Sequence, residues 1–130
     1  MEKEDTMSSK FVPAGSYLKT TKDVKVVVLA EAQRKDGSWN ADAHLDLTDL
    51  QTADIENLDG VLHNTGRDAP AKNFVPGGSY AETSRNIRVI LTGQAQKIDQ
   101  SWVTAELNLT DLKAPGDVAN LDGKLVDQQK

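Results

Sequence analysis

The chain has no cysteine, so no disulfide can staple it and no thiolate can hold a metal. His44 and His63 are its only histidines, and neither has a ligand cluster around it. The expectation is therefore no metal and no cofactor. Positive charge is also short: twenty acidic against fifteen basic residues leave a net −5. That balance works against phosphate backbones and anionic membrane surfaces, and the bases are scattered rather than gathered in a run. The longest apolar run, Val26 to Ala30, is far too short to cross a bilayer. The opening MEKEDTMSSK lacks the apolar centre of a secretory signal. The expectation is a soluble protein, made and kept in the cytoplasm, without nucleic-acid partner or membrane insertion.

Aromatics are scarce, and they come in pairs: Trp39 and Trp102, Tyr17 and Tyr80, Phe11 and Phe74. The pairing reflects a duplication. FVPAGSYLKTTKDVKVVVLAEAQRKDGSW from Phe11 aligns with FVPGGSYAETSRNIRVILTGQAQKIDQSW from Phe74. LDLTDL then meets LNLTDL, and IENLDGVL meets VANLDGKL. Residues 11–64 form repeat 1, 65–73 a polar linker with Gly66 and Pro70, and 74–127 repeat 2. Residues 1–10 and 128–130 read as tails. Two copies are too few for a solenoid and suit one pseudo-twofold globule over 11–127. At 130 residues the chain is long enough to bury roughly two thirds of its unfolded surface.

Within each copy the pattern is strand-like. VKVVV and IRVIL are β-branched runs, and WNADAHLDL and WVTAELNL approach period-two alternation. KDGS at Lys35 to Ser38 is an Asp-Gly hairpin signal. Its partner IDQS lacks the glycine, which predicts a different second turn. LTDLQTADIENL predicts a short helical or 3₁₀ turn with Thr48 as cap before Asp49. No long amphipathic helix can be written, so the fold class is all-β.

Asn-Leu-Asp-Gly, present once per copy, has two readings. As a turn, Asn and Asp bond their own backbone and Gly supplies positive φ. As a binding element, a carboxylate and an amide suit sugar hydroxyls. Spacing alone does not choose. The tryptophans and tyrosines read as core, because such rings bury about 150–250 Å² each. Carboxylates are plentiful (Glu56, Asp59, Glu82, Asp99, Asp122), yet none stands in an acid/base context, so the chain does not read as an enzyme. KDGSW lacks the alternating oxygen ligands of a calcium loop.

Taken in order, Gly-Ser-Tyr, Thr20, AEAQRKDGSW, LDLTDL and IENLDGVL, with their second copies, resemble the cyanovirin-N homology family of tandem-repeat, mannose-binding lectins. The resemblance covers Phe11 to Asp127. It implies two pseudo-symmetric, interleaved β domains, each a three-stranded sheet plus a β-hairpin, binding α(1→2)-linked mannose termini of high-mannose glycans without metal. It also implies a monomer or a domain-swapped dimer, which the long linker leaves open. Carried over by motif, the first site would use Ser16, Thr20, Gln33, Lys35, Asp36, Asn120, Leu121 and Asp122. The second would use Glu56, Asn57, Asp59, Ser79, Glu82, Thr83, Lys97, Ile98, Asp99 and Gln100. Many family members carry a disulfide in each repeat. The matching positions here are Thr21/Ala32 and Ser84/Ala95, within a strand-to-strand segment shorter than usual. Two other readings stand beside the lectin: a sugar-blind β scaffold for protein contacts, and a carbohydrate-active hydrolase.

Overall fold

A computed structural model describes residues 10–128; most of the N-terminal tail and the last two residues lie outside it. Among the described residues every extended element is a β-strand, and the only helical ones are short 3₁₀ turns at Ser16–Lys19 and Ser79–Glu82. The fold is all-β.

Two long strands organise it. β1 (Thr21–Gln33) and β5 (Ser84–Gln96) each run for 13 residues without reversing. TKDVKVVVLAEAQ holds neither Gly nor Pro, and its β-branched centre favours extension. Asp23 (φ 55°) and Asn86 (φ 53°) mark bulges, where the β1–β5 register shifts, rather than turns. The two strands pair antiparallel with each other, placing Val27 opposite Ile90 and Val28 opposite Val89. β2 (Trp39–Asp46) and β6 (Trp102–Asn108) add at the edges, giving the order β2-β1-β5-β6. Two separate hairpins complete the molecule: β3 (Ile55–Leu58) with β4 (Val61–Asn64), and β7 (Val118–Leu121) with β8 (Lys124–Asp127).

In place of one three-stranded sheet per repeat, a single four-stranded sheet thus spans both. β1 and β5 each run on without folding back, and the edge that β2 or β6 leaves open pairs with the other repeat's long strand. The expected cysteine-equivalent pairs change accordingly. Thr21 and Ala32 stand at opposite ends of β1, roughly 35 Å apart at the rise of a strand. Thr21 is instead opposite Ala95, and Ala32 opposite Ser84.

Burial alternates along the sheet, with Val26, Val28, Ala30 and Ala32 of β1 and Val89, Leu91 and Ala95 of β5 facing inward. Ile55 and Leu62 of one hairpin and Val118 and Leu125 of the other join the same core. Each such Val, Leu or Ile contributes about 1.5–3 kcal/mol on burial. Tyr17 and Tyr80 are fully buried, as expected, and their hydroxyls donate to the Pro13 and Pro76 carbonyls at 2.7 Å. Trp39 and Trp102 are not core. Trp102 is 40% exposed, and the rings are covered by Arg85 and Lys22 at 3.9 and 4.1 Å from their centroids.

LTDL forms a single turn, closed by the Leu50 amide on the Leu47 carbonyl at 3.1 Å, in place of the expected short helical or 3₁₀ segment. The Val26 amide donates to Thr48 Oγ1 at 2.9 Å, and Asp46 Oδ1 holds that hydroxyl at 2.6 Å. In the second copy the Val89 amide meets Thr110 Oγ1 at 2.9 Å, with Asn108 as holder. The motif clamps the strand end. The linker is fastened too: Thr65 and Ala69 amides donate to the Asp54 and Ala53 carbonyls, at 2.9 and 3.0 Å.

Candidate functional site: two hairpin clefts

Each Asn-Leu-Asp-Gly segment closes a hairpin. Asp59 and Gly60 have φ of 53° and 91°, and Asp122 and Gly123 repeat those angles. Two central residues at positive φ make the two-residue turn whose twist matches its flanking strands. The turn reading of the motif is correct.

The Asn side chain does more. Asn57 Oδ1 accepts from the Gly60 amide at 2.7 Å, while Nδ2 donates to the Gln33 carbonyl at 2.9 Å and to Thr83 Oγ1 at 3.0 Å. Asn120 Oδ1 accepts from the Gly123 amide, and its Nδ2 donates to the Gln96 carbonyl at 2.8 Å and Thr20 Oγ1 at 2.9 Å. The last bond joins residues 100 positions apart. Both amide hydrogens being engaged, Asn57 and Asn120 build a wall of each cleft rather than offer a free donor. The carboxylates lock the facing turns: Asp59 Oδ1 accepts from the Lys35 amide at 2.8 Å, and Asp122 Oδ1 from the Ile98 amide at 2.9 Å. One oxygen is used in each, so the second has acceptor capacity for a ligand. Thr20 and Thr83 accept through Oγ1 and keep their own O–H to donate.

Gln33, Arg34, Lys35, Asn57, Leu58, Asp59 and Thr83 line an open cleft of about 330 Å³. The expected residue groups are therefore regrouped. Thr20 does meet Asn120, and Thr83 does meet Asn57. The β1–β2 turn with Lys35, however, joins Asn57 and Asp59, whereas the β5–β6 turn with Ile98 joins Asn120 and Asp122. Gln33, Lys35 and Asp36 consequently belong with the group expected around Asn57, and Lys97, Ile98, Asp99 and Gln100 with that around Asn120. Unreversed β1 and β5 explain the exchange, because each delivers its turn to the far end of the sheet. Arg34 and Leu58 line the cleft without having been expected there. The repeat alignment carries the signal for both, since it pairs them with Lys97 and Leu121.

The turns themselves agree in geometry, contrary to the expectation from the missing glycine. Gly37 donates to the Arg34 carbonyl at 2.9 Å and Gln100 to that of Lys97 at 2.8 Å, with φ of 89° and 74°. Ser101 donates its amide and hydroxyl to Asp99 Oδ1 at 2.9 and 2.6 Å, as Ser38 does to Asp36. This side-chain frame holds Gln100 in a left-handed conformation. The same bonds hold the Asp36 and Asp99 carboxyls below the usual range, the serine hydroxyl contributing most.

Behind each cleft a Gly-Ser-Tyr segment crosses the hairpin at contact distance. A Cβ on Gly15 would lie 2.1 Å from the Val118 carbonyl oxygen, and one on Gly78 2.2 Å from that of Ile55. Ser16 and Ser79 begin the 3₁₀ turns that follow, and lead to Thr20 and to Glu82–Thr83. Glu56 stands on β3 beside Asn57, half-buried.

Among the described residues no three His, Cys, Asp or Glu side chains cluster as a metal site, and no helix is long and apolar enough to cross a membrane. Compared with known families and with curated proteins, the chain matches no family model and no curated relative.

Proposed function

We propose that the protein is a carbohydrate-binding lectin of the cyanovirin-N homology type. It takes mannose-rich glycans, α(1→2)-linked termini foremost, through two metal-independent clefts in two pseudo-symmetric halves, each cleft completed by a threonine of the other half. The observation that carries this reading is the twice-built polar cleft. A type I′ turn, a facing hairpin turn and a threonine hydroxyl bring open acceptors and a donor together. Such clefts bind weakly, since each hydrogen bond to a sugar replaces one to water and nets about 1 kcal/mol. Two of them on one rigid body gain through avidity on branched glycans.

A second reading draws on the exposed side chains at the cleft rims. Leu58, Val61, Ile98 and Leu121 are 51%, 62%, 86% and 54% exposed. Exposed apolar groups of this kind suit a protein-contact scaffold.

Titration calorimetry with Manα(1→2)Man, without added metal, separates the two. Saturable binding supports the lectin, and a stoichiometry of one or two counts the working clefts. Silence at millimolar sugar sinks dimannoside specificity. Asp122→Ala is expected to weaken the Asn120 cleft by roughly 1.5–3 kcal/mol. Its fold is checked by urea unfolding because the carboxylate also holds the Ile98 amide.

A further inference from the structure

The central sheet contains one β-bulge built twice, and the two copies end differently. In β1 the register shifts between Lys22, opposite Gln94, and Lys25, opposite Thr92, so Asp23 and Val24 together face Gly93. In β5 the matching shift leaves Asn86 and Ile87 facing Ala30. Asp23 and Asn86 are the left-handed residues of the two bulges, with φ of 55° and 53°.

The β5 bulge is closed by its own side chains. Glu31 Oε2 accepts from Asn86 Nδ2 at 3.0 Å, and Oε1 accepts from Arg85 Nε at 2.7 Å. In the repeat alignment Gln94 stands in place of Glu31, Asp23 in place of Asn86, and Lys22 in place of Arg85. These three form no such network. Lys22 lies over the Trp102 ring, and an open depression of about 330 Å³ remains, lined by Asp23, Lys25, Thr92, Gly93, Gln94 and Thr104. Among the described residues no hydrogen bond or ion pair engages any of the five side chains in this set.

Those five are one carboxylate, one ammonium, two hydroxyls and one amide. The two charges cancel, so a net charge on the ligand gains little. The hydroxyls and the amide both donate and accept, and the charged pair sets an acceptor beside a donor. The matching ligand is neutral and carries adjacent groups that also do both, as the vicinal hydroxyls of a sugar ring do. The three neutral groups outnumber the charged pair, which favours such a polyol over a zwitterion.

We propose that the open β1 bulge is a further saccharide site, present once, that takes a neutral pyranose ring through its vicinal hydroxyls. Its lining shares no residue with the contacts that build either hairpin cleft, so it does not rest on their reading.

Two-dimensional NMR of the isotopically labelled full chain tests it, with methyl α-mannoside, methyl α-glucoside, glycine and sodium sulfate as probes. The expected result is a saturable shift of the Lys25, Thr92, Gly93, Gln94 and Thr104 amides with at least one glycoside, and none with glycine or sulfate. Thr92→Val with Thr104→Val keeps the β-branched shape, removes both hydroxyls and is expected to weaken this site about tenfold or more. Asp23→Asn with Gln94→Glu gives the β1 bulge the residues that close its counterpart, and is expected to abolish the bulge shifts while any cleft shifts persist. Glycoside shifts confined to the clefts overturn the proposal and leave the lectin reading standing. Shifts at the bulge with silent clefts do the reverse, and silence at all three overturns both. Glycine or sulfate matching the glycosides at the bulge, or undiminished binding by the double valine variant, also overturns the proposal.

Discussion

Thr21 and Ala95 face each other at one end of the β1–β5 ladder as a non-hydrogen-bonded antiparallel pair. The bond from the Gln96 amide to the Thr20 carbonyl (2.8 Å) is on the neighbouring rung, which fixes the type. Such pairs have Cα atoms about 4.5 Å apart, inside the range a disulfide spans. Thr21→Cys/Ala95→Cys is expected to oxidise to an intramolecular bridge, closing a loop of about 75 residues and adding up to about 4 kcal/mol. Thr21→Cys/Ala32→Cys is expected to keep two free thiols. Thiol titration and intact mass read both results; a bridge in the second variant would refute the sheet order.

The same place in the sheet carries a defect. Thr21 Oγ1 and Ser84 Oγ are buried without a hydrogen-bond partner among the described residues. Desolvating a hydroxyl and leaving it unpaired costs about 1–3 kcal/mol. Thr21→Val is expected to raise stability by about 1 kcal/mol, and Ser84→Ala by a similar amount, seen as higher urea midpoints at unchanged slope.

Gln100 endures a backbone conformation that its counterpart Gly37 adopts freely. A left-handed residue with a Cβ costs roughly 1–2 kcal/mol, part of which glycine returns as unfolded-state entropy. Gln100→Gly should therefore stabilise by about 0.5–1 kcal/mol, and Gly37→Gln should cost about as much. If the two changes have the same sign in thermal unfolding, the turns are not equivalent.

Gly15 and Gly78 permit no side chain. Each combines a glycine-only φ, 139° and 130°, with a backbone carbonyl where a Cβ would stand. Gly15→Ala or Gly78→Ala is expected to cost about 3 kcal/mol or more. Gly66→Ala, with open space around its Cβ position but a φ of 89°, should cost only the roughly 1–2 kcal/mol of the left-handed backbone. Equilibrium unfolding of the three variants ranks them.

Alkali should unfold the protein through its tyrosines. Burial pushes the Tyr80 phenol up to about 12 and raises that of Tyr17 as well. An unfolded tyrosine loses its proton near 10. Between about pH 10 and 12 the unfolded chain therefore binds fewer protons than the native one, and stability falls as pH rises. Below 10 this contribution is fully present. Tyr80→Phe should flatten part of the alkaline decline without altering the slope near pH 7.

The sequence carried the strand class and the Asp-Gly turns, because β-branched runs and turn residues act locally. Pairing partners were less legible. Nothing within TKDVKVVVLAEAQ states whether the strand bends back or continues, and SRNIRVILTGQAQ continues through Asn86 and Gly93, residues that elsewhere mark turns. The structure joins the Lys35 turn to Asp59 and the Ile98 turn to Asp122, and brings Thr20 to Asn120 and Thr83 to Asn57. Gln100 was misread for another reason. Turn propensity counts intrinsic cost, whereas the Asp99–Ser101 bonds make a costly conformation affordable. The tryptophans were assigned to the core by size, and the cations that cover them from outside left no mark in the hydrophobic pattern.

The central β1–β5 ladder has a bearing on origin. A lone copy of the repeat would expose one long strand edge and lack the threonine that completes its hairpin cleft. Both needs are met by a second identical copy in antiparallel register, so the smallest viable unit of this architecture is a symmetric pair of half-length chains. Fusing them end to end adds no new contact to the ladder; it replaces a concentration-dependent encounter with a tethered one. Fusion also frees each half to diverge, and the departures of Lys19 from Glu82 and of Lys124 from Val61 are changes that no homodimer could make on one side alone.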